Sequence, residues 1–336
     1  MLENKTQDLD MNRDDFLMIR DYIHEKSGIF FAENKMYLVK NRLSKRVSEL
    51  SIKTYKDYLY HVKYDTSMKE FHHLMDLMTT NETSFFRNEP QLQSFSKEVL
   101  PLIIDKKQKE GGAKTIKIWS AGCSTGEEPY TLAMIVQEKL ATLPGWKSEI
   151  VANDISEEVL QKARKGEYSG ITLRNIVPTY LTKYFTKSGD KYIVKPEIKA
   201  MVKFSFINLN QPRMISLNSN CDVIFCRNVM IYFSDEVKKQ IVRGYYNSLR
   251  PGGYFYIGHS ETLHGISKSF KLVYFKNALV YQKEDSGTSK SRPALSATLA
   301  GARKHVTQRA SSQGATTGAS KAIDLLSKIK PMTVKK

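Results

Sequence analysis

The sequence predicts an α/β fold: a mostly parallel sheet covered by helices and closed by antiparallel strands, with a small β insert, behind a small all-helical N-terminal domain. Three observations predict it. Residues 12–80 carry apolar residues at helical spacing. From residue 116, short apolar runs alternate with helical stretches. The last such stretch, "FKLVYFKNALVYQK", holds two β-rich runs linked through Lys276 and Asn277, the pattern of a hairpin.

In the N-terminal domain, "NRDDFLMIRDYIHEKSG" places Phe16, Ile19 and Ile23 on one stripe, opens with Asn12 as a cap and stops at Gly28. "NKMYLVKNRLSKRVSEL" puts Met36, Val39, Leu43, Val47 and Leu50 on one face and Arg42, Lys45 and Arg46 on the other. A solvated helix face accounts for such charge; so does a docking surface for an acidic partner. Residues 81–115 read as a linker, and 116–284 as the sheet domain. Its strands are "IKIWSA", "EIVANDI", "VKFSFINL", "CDVIFCRN" and "GYFYIGH"; helices "EEPYTLAMIVQEKL", "SEEVLQKARKG" and "SDEVKKQIVRGYYNSLR" lie between them. The turn Ser188-Gly189-Asp190 suggests a hairpin insert near 183–204. Residues 285–336, rich in Ser, Thr, Ala, Gly and Lys, have the composition of a disordered tail.

A chain of 336 residues has room for roughly two domains, each with its own core. No apolar run approaches the roughly 18 to 20 residues of a membrane span, and the N-terminal residues lack a leader pattern. Three cysteines without CxxC spacing argue against a disulfide framework and against zinc, so a cytoplasmic protein without a metal is expected. The net charge of +17 attracts something acidic, but +8 of it belongs to the tail.

Between the first strand and its helix stands "SAGCSTGEEPY". A glycine loop at this place lets a ligand approach the backbone closely. A phosphate loop would follow its glycines with Lys and Thr; here Glu127 and Glu128 follow. The next strand ends in Asp154, where a carboxylate accepts both hydroxyls of a ribose. A carboxylate at the helix start repels pyrophosphate but tolerates a ligand with an ammonium and a sulfonium, which points to S-adenosylmethionine. Compensation of the helix dipole explains either glutamate alone equally well, but not Asp154 beside them.

Four stretches, "TTNETSFFRNEPQL" (79–92), "WSAGCSTGEEPYTLAM" (119–134), "DVIFCRNVMIYF" (222–233) and "LRPGGYFYIGHSETL" (249–263), in this order and spacing, resemble the CheR-type chemotaxis receptor methyltransferases. The resemblance runs from about residue 12 to about residue 283. It implies a Rossmann-like S-adenosylmethionine-dependent methyltransferase domain behind a helical domain. The implied reaction is methyl transfer to glutamate side chains of chemoreceptors, with γ-glutamyl methyl esters and S-adenosylhomocysteine as products. Carried over by motif, Asn81, Thr83 and Arg87 meet the cofactor or reaction centre, Gly122 and Glu128 seat the cofactor, and Asp154 holds the ribose. Asn208, Leu209, Arg227 and Asn228 line the adenine and methionine sides, while Arg87 and Tyr232 stand at the transferred methyl.

Elementary chemistry agrees with these roles. A free glutamate has a pKa near about 4.3, so the attacking oxygen needs no base, only alignment with the sulfur–methyl bond. An arginine orients an acidic substrate by paired hydrogen bonds, and a tyrosine offers a hydroxyl and an aromatic wall beside a cation. Without the motif, Tyr232 reads as core packing and Arg87 as half of a surface ion pair. His259 reads as a structural hydrogen bonder, Cys226 as a small buried residue, and His72 and His73 as poor joint metal ligands.

The turn at Ser188-Gly189-Asp190 is shorter and poorer in glycine than the form that grips a receptor peptide in some members, so recognition without that tether is expected. Arg42, Lys45 and Arg46 then supply docking to the cytoplasmic helices of a receptor, placing a monomeric enzyme at membrane-bound receptor arrays. A nucleic-acid methyltransferase is the rival enzyme, but "RNVMIY" stands where base methylases carry Asn or Asp followed by Pro-Pro and an aromatic, so no nucleic-acid partner is expected. The remaining alternative is a non-catalytic S-adenosylmethionine-binding signalling module.

Overall fold

The structure, a computed structural model, describes residues 9–285. The basic 285–336 segment lies, beyond Asp285, outside the described residues. Helix α1 (Arg13–Ser27) starts where the Asn12 side chain accepts the Asp15 N–H at 2.8 Å, and ends at Gly28, whose φ of 76° is left-handed. Helices α2 (Met36–Glu49), α3 (Tyr55–Tyr64) and α4 (Lys69–Met78) complete the helical domain, with Phe16, Ile19, Ile23, Val39, Leu43 and Val47 buried.

Residues 81–88 run without regular structure. The rest of the expected linker is mostly helical: α5 (Glu89–Ser94), a wider π-type turn at Phe95–Val99, and α6 (Leu100–Lys109). Leu92, Phe95, Val99 and Ile103 pack on the sheet. The apolar spacing of this stretch marks a helix that the linker reading passed over.

The main sheet comprises β1 (Thr115–Ala121), β2 (Lys147–Asp154), β6 (Val202–Phe206), β7 (Cys221–Cys226), β8 (Leu249–Ile257), β9 (Phe270–Tyr274) and β10 (Leu279–Lys283), ordered β6-β2-β1-β7-β8-β10-β9. Pairs among the first five are parallel, and β10 runs antiparallel to β8 and β9. Ile118 sits beside Ile150 and Val223 at the centre. The β9–β10 link turns at Lys276-Asn277, closed by the Phe275 N–H on the Ala278 carbonyl at 2.9 Å.

Helices α7 (Glu127–Leu140), α8 (Glu157–Lys165), α11 (Pro212–Ile215) and α12 (Asp235–Ser248) join these strands. The insert contains β3 (Glu167–Tyr168), α9 (Pro178–Tyr184), β4 (Phe185–Ser188), β5 (Lys191–Val194) and α10 (Pro196–Lys199), with its own sheet ordered β3-β5-β4. It therefore begins earlier than the expected 183. A two-residue strand leaves no period to read, and only its pairing with β5 reveals it.

The cores divide by sheet face rather than by domain. Strand alternation sends Trp119, Ala121, Ile224, Cys226, Phe255 and Ile257 into one core with the N-terminal helices and α12. Ile116, Ile118, Val223, Phe225, Tyr254 and Tyr256 point into the other, with α6, α7 and the insert. The helical domain thus shares its core with the sheet. No helix among the described residues is long and apolar enough to cross a membrane.

Candidate functional site

The strand order turns outward in both directions from β1 and β7, and ligands bind α/β sheets at the carboxyl ends of strands around such a point. A cavity of about 210 Å³ opens there. Its walls are the ends of β1 (Gly122–Ser124), β2 (Asn153–Ile155), β6 (Ile207, Leu209) and β7 (Arg227–Val229), with the 79–83 segment and Arg87 across from them.

Gly122 is required twice over. Its φ is +75°, and a Cβ there would stand 2.4 Å from Val229 Cγ2. Its N–H and that of Cys123 donate to the Asn153 carbonyl at 2.9 and 2.8 Å, tying the loop to β2. Asp154, 7% exposed, accepts the Ser124 N–H at 2.9 Å and the Ser156 N–H at 3.1 Å. Burial pushes its carboxyl above the ordinary value, and these backbone donors offset only part of the shift. A buried carboxylate beside the cavity, held by backbone N–H groups and without a cation among the described residues, fits an acceptor for ligand hydroxyls.

The glutamates behave differently from the sequence expectation. Glu127, 1% exposed, turns away from the cavity, receives the Thr125 hydroxyl at 2.7 Å and has its pKa raised by burial. Glu128 lines the cavity, but its two oxygens accept from Ser120 Oγ at 2.6 Å and Arg227 Nε at 2.6 Å. Glu127 faces away from the cavity and Glu128 is paired with Arg227, so repulsion of phosphate by the two glutamates is not what selects the ligand here. That pairing joins residues 99 apart in the chain and has no local signature.

Arg227 uses its guanidinium within the protein: besides Glu128, it donates to the Arg87 carbonyl at 2.8 Å and to Gln91 Oε1 at 3.4 Å. Asn208 departs from its expected place. It is 2% exposed, donates to the Lys26 carbonyl at 2.6 Å and accepts the Asn210 N–H at 3.0 Å, fastening the end of α1 rather than lining the cavity. Leu209 and Asn228 do line it.

Asn81, Thr83, Arg87 and Tyr232 all border the same cavity. The Asn81 carbonyl accepts Ser124 Oγ at 3.0 Å, joining the 79–83 segment to the glycine loop. Arg87 Nη1 donates to the Glu82 carbonyl at 2.9 Å. The Tyr232 carbonyl accepts the Phe30 N–H at 2.9 Å, next to the Ile29–Phe233 bridge, so the helical domain holds Tyr232 in place.

The three basic residues of α2 do not share one open cationic face. Arg42 donates to the Met78 carbonyl at 2.6 Å and Thr80 Oγ1 at 2.8 Å, shaping the approach to the cavity. Arg46 grips Glu70 by two hydrogen bonds of 3.0 and 2.5 Å. Lys45 alone of the three stands well out in solvent, its side chain 87% exposed and 3.8 Å from Glu49. Helical period located all three on the polar side; their partners come from elsewhere in the chain.

His259 is exposed and makes no hydrogen bond among the described residues, which corrects its reading as a structural hydrogen bonder. Cys226 is fully buried, with the Tyr245 hydroxyl donating to its sulfur at 3.4 Å. No group of three or more potential metal ligands occurs among the described residues. Sequence reasoning passed over Gln91, which donates to the Ile257 carbonyl at 2.7 Å while receiving Arg227, and Ile231, 55% exposed at the cavity. Neither carried a local signal: the partners of Gln91, Ile257 and Arg227, lie far along the chain.

A family model described as the CheR methyltransferase SAM-binding domain matches residues 81–279, and one described as the CheR methyltransferase all-alpha domain matches 14–79. "Chemotaxis protein methyltransferase 2" of Vibrio cholerae is 36% identical over 276 residues, covering 82% of this chain and 94% of the relative. "Chemotaxis protein methyltransferase 1" of Pseudomonas aeruginosa is 35% identical, covering 80% and 97%; the "Chemotaxis protein methyltransferase" of Escherichia coli is 34% identical, covering 81% and 92%.

Proposed function

Because the chain belongs to the CheR methyltransferase family and is an S-adenosylmethionine-dependent methyltransferase of chemotaxis, we propose that its acceptor is the side-chain carboxylate of chemoreceptor glutamates. The observation that carries this reading is the composition of the cavity wall. Arg87 and Tyr232 border it, and the described wall contains neither histidine nor lysine. A carboxylate arrives already ionised, so an arginine that orients it is more useful than a base that deprotonates it.

In this reading Asp154 accepts the ribose hydroxyls, the Gly122 loop lets the ligand lie against backbone, and Leu209 with Ile207 walls the apolar ring. Asn228 borders the methionine end, with Glu128 presented to it through the Arg227 pair. Bound S-adenosylmethionine supplies a methyl group on a positively charged sulfur. Arg87 holds the acceptor carboxylate in line with it, and Tyr232 closes the opposite side of the cavity mouth. A carboxylate oxygen forms the new bond to carbon, the sulfur keeps the electron pair of the broken bond, and no proton moves.

The receptor's acidic cytoplasmic helices would approach across α2. Lys45 is the exposed cation there, while Arg42 and Arg46 act by shaping the surface. The working place of the enzyme is then the cytoplasmic side of receptor arrays.

The test is incorporation of methyl-labelled S-adenosylmethionine into chemoreceptor-containing membranes of the same cell, followed by mild alkali, with Arg87→Ala as the control. Label released as methanol, and absent with the control, supports a carboxyl methyl ester made at this site. Alkali-stable label would overturn the carboxylate acceptor, and a fully active Arg87→Ala would remove Arg87 from the mechanism.

A further inference from the structure

Arg87 sits between two residues with left-handed backbone, Phe86 at φ +53° and Asn88 at φ +61°. Asn tolerates that region; an aromatic residue rarely enters it, and such strain persists only where the surroundings over-determine it. The turn is fastened from three sides. On α7, Thr131 Oγ1 accepts the Phe86 N–H at 3.2 Å. From β7, Arg227 donates to the Arg87 carbonyl at 2.8 Å. The third side is the β insert.

There the Phe85 N–H donates to the Thr172 carbonyl at 2.9 Å, and the Phe85 ring meets Tyr168 and Phe185 edge-on at 4.7 and 5.3 Å. One residue on, the Phe86 ring meets Tyr180 edge-on at 5.2 Å and 85°. Tyr180 is backed in turn by Tyr184 at 5.4 Å, whose hydroxyl donates to Glu138 of α7 at 2.5 Å. Phe85 is fully buried, and its contacts are those of a core residue. Tyr180 is only half-buried, yet it is wedged between the strained turn and a side chain tied to the cofactor-domain helix.

We propose that Tyr180 is a positioning residue for Arg87: its ring holds Phe86 in the left-handed turn, so packing of the β insert sets how well the Arg87 guanidinium is aimed into the cavity. The inference rests on the role given to Arg87 above. It makes the insert part of the reaction machinery regardless of what the insert binds on its outer side. Tyr180 reaches the chemistry only through Phe86 and the Arg87 backbone, so ring packing matters and the hydroxyl does not.

The experiment compares the full chain with Tyr180→Ala and Tyr180→Phe by three readings: urea unfolding, amide hydrogen exchange over residues 82–91 without cofactor, and steady-state methyl transfer with affinity for S-adenosylhomocysteine. Tyr180→Ala should exchange faster at 84–88 and lose about ten- to a hundredfold in kcat, as expected for a small misplacement. Its product affinity should stay within about twofold, since the cofactor-facing groups are untouched. Tyr180→Phe should match the parent in all three. Unchanged exchange or unchanged kcat in Tyr180→Ala would overturn the proposal, as would a Tyr180→Phe variant equally impaired. If Tyr180→Ala unfolds, Tyr180→Leu takes its place under the same criteria. Exchange reads the turn independently of chemistry: a loosened turn in Tyr180→Ala together with a fully active Arg87→Ala would locate the failure in the role of Arg87, not in the brace.

Discussion

Glu70 in the helical domain and Asp154 at the cavity are both nearly out of water, 4% and 7% exposed, yet their acidities move in opposite directions. For Glu70, burial is the largest single influence and pushes upward. The two hydrogen bonds and the charge of Arg46, with the Tyr58 hydroxyl at 3.1 Å, together outweigh it and hold the carboxyl below its ordinary value. For Asp154, burial also leads, but only backbone N–H groups of Ser156, Ser124 and Ile155 oppose it, and the carboxyl stays above its ordinary value. Glu70, which serves the fold, brings its own cation in Arg46. Asp154 is left with backbone donors on one side and a cavity on the other, and the protein tolerates the resulting cost.

The two carboxylates differ most when the cation is taken away. Arg46→Ala leaves Glu70 buried and unpaired, and should lose about 3 kcal/mol of stability in urea unfolding, the low end for a buried pair because Arg46 is one-quarter exposed. A loss under about 1 kcal/mol would reduce the pair to a surface contact. Asp154→Asn keeps one acceptor oxygen but turns an amide NH2 toward a backbone N–H, so it should lose about 1 kcal/mol, well short of Arg46→Ala, with affinity for S-adenosylhomocysteine lower by about tenfold in calorimetry. Unfolding of this variant would make Asp154 structural and erase the distinction.

The pH dependence sharpens the same contrast. Glu70 has a depressed folded pKa, so its contribution is present above the unfolded value and lost as pH falls through the folded one. Asp154 has a raised folded pKa, so its contribution is present below the unfolded value and lost as pH rises through the folded one. Measured at about pH 7.5 and about pH 4, the stability gap between parent and Arg46→Ala should shrink on acidification, while the gap between parent and Asp154→Asn should be smaller at the higher pH. Lys45→Glu carries the smallest effect. It should lower receptor methylation about threefold, with stability and product affinity unchanged, as for an exposed rim charge. An unchanged rate would take Lys45 out of the docking surface.

Much of this molecule could be read in order along the chain. The Asn12 cap and Gly28 stop, the apolar stripes of α1 and α2, the turn at Lys276-Asn277 and the left-handed backbone of Gly122 are local matters of period and backbone preference. The site was legible to the level of which strands end at it, because glycines and an acid at strand ends are themselves local. Its electrostatics were not. Asn208 turns to α1, Glu128 to Arg227 and Arg46 to Glu70, and nothing in a neighbouring residue announces those choices.

By itself, then, the sequence determined the order of elements, the loop that admits a ligand and the acid beside it, since these depend on hydrophobic period and on backbone conformations that few residues adopt. Tertiary structure alone decided which charges cancel and which remain: Glu128 with Arg227, Asp154 with no cation among the described residues, Arg87 in a turn whose Phe86 meets Tyr180. The reason is physical. Burial and pairing are properties of groups that meet in space from distant parts of the chain, and no local pattern encodes the meeting.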